Sequence, residues 1–112
     1  MKIQLLEGGF PVLRNSVGAA GFDLFAPTEV VLKKGLNKIK LRIKIQLPAN
    51  TFGSIRCRSS LAKDGISVEA GVIDEDYRGE LVVLLRAHDR DVTYPKGHAI
   101  AQLIVQPLSL IH

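Results

Sequence analysis

Ile39-Lys40-Leu41-Arg42-Ile43-Lys44-Ile45-Gln46-Leu47 alternates apolar and polar side chains without a break. A period of two is the strand period, so this stretch reads as a strand with one face on a core and the other in water. Pro48 removes the next ladder donor and ends the strand, and Ala49-Asn50 reads as a turn. Working outward, Phe52 to Arg58 alternates again as a second strand. Gly79-Glu80-Leu81-Val82-Val83-Leu84-Leu85 ends in five consecutive apolar residues, the pattern of a strand buried on both sides. Ala99 to Val105 is similar, and Lys2 to Leu6 and Glu29 to Leu32 are shorter strand candidates.

Turn formers punctuate these runs: Gly8-Gly9, Ala26-Pro27, Lys34-Gly35, Asp64-Gly65 and Pro95-Lys96-Gly97. Many short strands at close spacing predict an all-β sandwich, barrel or jelly roll. Only Ser59-Ser60-Leu61-Ala62-Lys63 looks helical, opening on cap-type residues and closed by Asp64-Gly65. A length of 112 residues predicts a single domain over 1–112 with one core.

Composition narrows the function. With 46% hydrophobic and 23% charged residues the chain is globular rather than disordered. Aromatics make up 5% and Trp is absent, so no stacking platform for single-stranded nucleic acid is expected. Cys57 is the only cysteine, which excludes an intrachain disulfide and a Cys-rich metal site. No apolar run approaches the ~20 residues of a membrane span, and the N-terminus lacks the apolar core of a signal peptide. The expectation is an intracellular, soluble protein that engages neither membrane nor nucleic acid. The net charge of +4 gathers between Lys33 and Lys44, where it reads as a solvated strand face.

Three stretches stand out from plain β structure. In Ala20-Gly21-Phe22-Asp23-Leu24-Phe25-Ala26 a carboxylate sits among apolar neighbours, where burial is costly unless it is paired. Asp23 is therefore either a turn cap or a site residue. In Cys57-Arg58-Ser59-Ser60-Leu61-Ala62 a strand delivers a guanidinium and two hydroxyls to a helix start, a combination suited to phosphate. The competing reading has Ser59 simply capping the helix. In Ala70-Gly71-Val72-Ile73-Asp74-Glu75-Asp76-Tyr77-Arg78-Gly79-Glu80 apolar residues lead into three acids and on into another strand. This reads as a hairpin whose acidic turn either faces solvent or holds a carboxylate against a floor of Val72 and Ile73. Such a carboxylate serves as a general base or binds a metal-bound water. Elsewhere Cys57 reads as packing rather than nucleophile, His88 as a solvated loop residue, and His98 as part of a surface turn.

Together these residues resemble the homotrimeric dUTPase (deoxyuridine triphosphate nucleotidohydrolase) family, from about Gly18 to Leu108. Ala20 to Ala26 is similar to its first motif. Arg58-Ser59-Ser60-Leu61-Ala62 is similar to its second, usually Arg-Ser-Gly-Leu-Ala. Gly71 to Gly79 is close to the third at full length, and Lys96-Gly97-His98-Ala99-Ile100-Ala101-Gln102-Leu103-Ile104 resembles the fourth. The resemblance implies a distorted β jelly roll with one short helix and a homotrimer with active sites between subunits. It implies hydrolysis of dUTP to dUMP and pyrophosphate. Asp74 would activate the water that attacks the α-phosphorus, and Tyr77 would pack on the deoxyribose and exclude a 2′-hydroxyl. Backbone groups of Gly71, Val72, Ile73 and Asp74 would read uracil. Arg58, Ser59 and Ser60 would lie at the phosphate chain, and Gln102 near the α-phosphate. Mg²⁺ would be held chiefly by triphosphate and water, in the neighbourhood of Asp23, with no direct protein cage.

The sequence also departs from that pattern. The family's fifth motif is a Gly-rich C-terminal arm with an Arg and an aromatic residue. Here the chain runs to Pro107-Leu108-Ser109-Leu110-Ile111-His112 without it, so the sequence is either truncated or that of a naturally short, open-site relative, and low activity is expected. His98-Ala99 stands where Asp-Arg is common, and Ser60 replaces a Gly. An alternative is a protein of this fold that binds nucleotide or another protein with little catalysis. The spelling Arg-Ser-Ser-Leu-Ala also resembles dCTP deaminases, but their catalytic Glu falls at Leu84 here, which argues against deamination.

Overall fold

The computed structural model describes residues 1–14 and 21–108; Gly18, where the resemblance begins, Ala20, which heads the first motif, and the tail Ser109 to His112 lie outside the described residues. Among the described residues eleven strands and one helix follow in chain order. They are β1 Lys2–Leu5, β2 Leu13–Arg14, β3 Gly21–Phe25, β4 Val30–Leu32, β5 Gly35–Gln46, β6 Thr51–Arg56, α1 Ser59–Lys63, β7 Ile66–Glu69, β8 Val72–Ile73, β9 Glu80–Ala87, β10 Val92–Tyr94 and β11 Ala99–Pro107. Every paired ladder is antiparallel. One sheet runs β1-β5-β9-β7, a second β2-β3-β11-β6-β8, and β4 with β10 forms a short ribbon. This is an all-β, two-sheet architecture with one short helix. Among the described residues no helix is long and apolar enough to cross a membrane.

The alternating stretch behaves as its period requires. Leu41, Ile43 and Ile45 are buried while Lys40, Arg42 and Gln46 face out. They meet Leu81, Val83 and Leu85 of β9 and Leu24, Ile55 and Leu103 of the second sheet in one core. At the top of the basic run, Lys33 makes an exposed surface contact with Asp91 at 3.6 Å.

Three readings need revision. β9 is not buried on both faces: Leu81, Val83 and Leu85 are enclosed, whereas Val82 and Leu84 are half-buried. The second sheet covers one side only, and on the other Val82 and Leu84 stand opposite Lys40 and Lys38 in the ladder. The strand expected over Phe52 to Arg58 ends at Arg56, because Cys57 and Arg58 leave the ladder to start α1. The acidic stretch is not a hairpin turn: β8 pairs with β6 in one sheet, while β9 pairs with β5 and β7 in the other. Residues 74–79 therefore cross between the two layers.

A bulge marks where that crossing lands. The β5–β9 register shifts between Lys40 and Lys44, and Arg42 takes φ +61 there. Its freed N–H donates to Glu80 Oε2 at 2.9 Å.

β11 lies between β3 and β6, and its Leu103 is fully enclosed. Leu103→Ala removes that packing and is expected to lower unfolding free energy by about 2–5 kcal/mol, read as a shifted urea midpoint.

Candidate active site

The second sheet builds one half of the site. Gln102 on β11 lies opposite Asp23 of β3 on one side and Arg56 of β6 on the other. Two residues past β6's end, Arg58 caps α1 with an extended backbone, its carbonyl accepting from Leu61 N–H and Ala62 N–H. Its guanidinium is ion-paired with the Asp23 carboxylate, and the two side chains are 26% and 14% exposed. The pair explains how a carboxylate survives among apolar neighbours. Asp23 is thus a strand residue bonded across to α1 and not a turn cap. Arg58 Nε is buried without a hydrogen-bond partner, so the guanidinium is not fully satisfied by Asp23. Gln102 Nε2 donates to Cys57 O at 3.3 Å and draws the same corner together.

Ser59 does not cap the helix. Arg58 is the cap, no side chain bonds the helix end, and Ser59 and Ser60 are the first helical residues, both exposed. Cys57 Sγ lies 3.3 Å from the carbonyl oxygens of Arg58 and Ile66. Burial pushes its thiol pKa up, which keeps it protonated and inert, in line with a packing role.

The far end of α1 is held by contacts that sequence reading missed. Tyr94 Oη donates to Asp64 Oδ2 at 2.8 Å, and the Tyr94 ring lies 4.9 Å from the His98 ring. Burial first, then the bond to Asp64, pushes the Tyr94 phenol up, so it stays neutral. His98 is half-buried on Tyr94. Asp64 and Tyr94 are thirty residues apart, and no local pattern links them. His88 is exposed as expected, with Nε2 2.7 Å from Ser67 Oγ.

The crossing segment builds the other half. Ile55 N–H donates to Gly71 O at 2.6 Å, and a Cβ on Gly71 would stand 2.6 Å from Ile55 O. Only glycine permits that approach. Beyond β8, Tyr77 N–H donates to Asp74 O at 3.1 Å and closes a turn. Glu75 Oε1 accepts from Asn50 N–H at 2.8 Å, and Arg78 Nη1 donates to Glu75 O at 2.6 Å. Tyr77 Oη donates to Glu80 O at 2.6 Å. Two of the four acids between residues 74 and 80, Glu75 and Glu80, are thereby committed to holding the segment. Asp74 and Asp76 are exposed and open on a cleft of about 410 Å³. Val72, Ile73, Tyr77 and Arg78 complete its turn side, and Leu81 and Val82 of β9 form its wall. Ile73 is buried and serves as floor; Val72, 71% exposed, is rim, contrary to the expected two-residue floor.

The two halves do not meet in one cavity. Asp23, Arg58 and Gln102 gather at one corner with Ser59 and Ser60 beside them, whereas none of them lines the cleft beside Asp74. Leu81, Val82 and Arg78 are cleft residues that sequence reading did not single out; apolar strand positions carry no mark of lining a site. Among the described residues no group of three or more His, Cys, Asp or Glu side chains is placed to hold a metal ion.

The dUTPase family profile matches residues 11–112. The chain belongs to the dUTPase family. It is 44% identical to the deoxyuridine 5′-triphosphate nucleotidohydrolase of Paramecium bursaria Chlorella virus 1, over 94% of this chain and 77% of that enzyme. It is 38% identical to the enzyme of that name from Saccharomyces cerevisiae, over 96% of this chain and 76% of that one. Among solved structures it is similar to native EIAV dUTPase, with TM-score 0.84 and 30% identity over 98% of this chain and 90% of that one. The dUTPase fold is jelly-roll-like, and the two sheets described above are its layers in this chain.

Asp23→Ala leaves Arg58 part-buried without its counter-ion. It is expected to destabilise the fold by about 1–3 kcal/mol in chemical denaturation. Asp23→Asn, which keeps an acceptor for the guanidinium, should cost less.

Proposed function

We propose that this dUTPase-family chain is a dUTP diphosphatase that hydrolyses dUTP to dUMP and pyrophosphate, with Asp74 as general base. The observation that carries the reading is the division of labour in the crossing segment. Glu75 and Glu80 are tied to backbone N–H groups, while Asp74 stands unbonded by its side chain at the mouth of the cleft, beside buried Ile73. A carboxylate there takes a proton from water as the water oxygen attacks the α-phosphorus. The bond from the α-phosphorus to the α,β-bridging oxygen breaks, and pyrophosphate leaves. The relatives named deoxyuridine 5′-triphosphate nucleotidohydrolase support the substrate. Leu84, where the related deaminases need an acid, offers none.

In this reading uracil lies against the backbone of Gly71, Val72 and Ile73, and Tyr77 packs on the deoxyribose. Arg58, Ser59, Ser60 and Gln102 serve the triphosphate. Arg58 fits that role because Asp23 occupies only part of its guanidinium.

A metal carried in by the substrate fits the donor set. No cage of three protein ligands is present among the described residues, but Asp74 and Asp76 are open carboxylates and Asp23 keeps Oδ2 for a metal-bound water. Mg²⁺, when bound, neutralises charge on the phosphates.

Separation of the two halves within one chain supports a homotrimer, in which the cleft of one subunit faces the Arg58 corner of another. The single cysteine of the chain, Cys57, supports an intracellular setting.

Asp74→Asn is expected to lower dUTP turnover by about 10²–10⁴-fold while circular dichroism and thermal melting stay as in wild type. Near-normal turnover would transfer the base to Asp76 or reject the assignment. Light scattering at micromolar concentration should give three times the monomer mass; a stable monomer would reject the shared site.

A further inference from the structure

We propose that Gly79 is a positioning residue for the Tyr77 ring, and through that ring a determinant of discrimination between deoxyribose and ribose. The specificity part rests on the function proposed above.

The phenol of Tyr77 lines the cleft with part of its surface only. It folds back along its own turn, and Oη donates to Glu80 O at 2.6 Å. On the way the ring passes over Gly79. A Cβ built there would lie 2.7 Å from Oη, 2.9 Å from Cζ and 3.2 Å from Cε1, and those three nearest atoms all belong to Tyr77. Gly79 is not among the residues with positive φ, so its backbone makes no demand for glycine. Room for the ring does.

The acceptor is fixed too. Glu80 pairs with Lys44 in the β5–β9 ladder and its Oε2 accepts from Arg42 N–H at the β5 bulge, which holds the residue at both backbone and side chain. With the hydroxyl anchored and one side of the ring seated on Gly79, the remaining 41% exposed surface of Tyr77 is presented to the cleft in one orientation. A ring that excludes a hydroxyl does so only when it stays put, and a displacement on the order of 1 Å at a reacting site costs about a hundredfold. A methyl at position 79 therefore acts as a lever on the ring and on little else.

The test uses Gly79→Ala, Tyr77→Ala and the double variant. First, with only two tyrosines in the chain, NMR of ring-labelled protein follows each directly. Gly79→Ala should move the Tyr77 ring signals and leave those of Tyr94 in place, with melting temperature within a few degrees of wild type. Second, kcat/KM for dUTP over that for UTP should fall roughly tenfold or more in Gly79→Ala. Gly79→Ala should add nothing to that loss in the Tyr77→Ala background. Unmoved Tyr77 signals would overturn the positioning role. Full additivity in the Tyr77→Ala background would show action through the backbone and overturn it as well. A moved ring with an unchanged dUTP/UTP ratio would overturn the specificity role. Failure of the function itself looks different: wild type would turn over neither nucleotide, and the ring signals would still report on Gly79.

Discussion

The bond from Ile55 N–H to Gly71 O is the constraint on which the cleft depends. At 2.6 Å, and with Ile55 O where a Gly71 side chain would have to be, two backbones meet with no room between them. That contact pins the start of the crossing segment to the edge of the second sheet. The Glu80 carboxylate pins its end to the bulge of the first sheet. Between those points the chain spans from one layer to the other, and its middle stands off the core as an open turn. The cleft is the space left under that span, floored by Ile73 and walled by β9.

Charge is managed differently in the two halves. At the Arg58 corner a part-buried guanidinium is matched by a single carboxylate and keeps one buried, unpartnered N–H. In the crossing segment the acids outnumber the cations, and the structure spends two of them on backbone donors. The first corner thus pairs its charges internally, and the second leaves the Asp74 and Asp76 carboxylates exposed. In the proposed reaction the first would meet the phosphates and the second would take the proton, from separate surfaces of one small chain.

Several elements were legible before any tertiary information. The alternation over 39–47 became the core-facing part of β5 up to Gln46, and Ser59–Lys63 is helical as expected, although Arg58 and not Ser59 is its cap. The motif spellings were sufficient to point to the family. The misreadings share a cause. Apolar runs report hydrophobicity and not how many layers cover them, so β9 looked doubly buried although Val82 and Leu84 are only half-buried. Two strand-like segments joined by a short acidic link look like a hairpin whether or not they pair with each other.

What the sequence determined by itself is local: strand period, turn positions, the short helix, and the residue types able to move a proton or meet a phosphate. Those follow from side-chain chemistry and nearest-neighbour geometry. Only the tertiary structure decided which acids are free and which are anchors, that Asp23 answers Arg58 across thirty-five residues of chain, and that Tyr94 secures the end of α1 through Asp64. Those assignments depend on pairs distant in sequence. Their partners are selected by the register of β11 against β3 and β6 and by the crossing between sheets, and no window of consecutive residues contains that information.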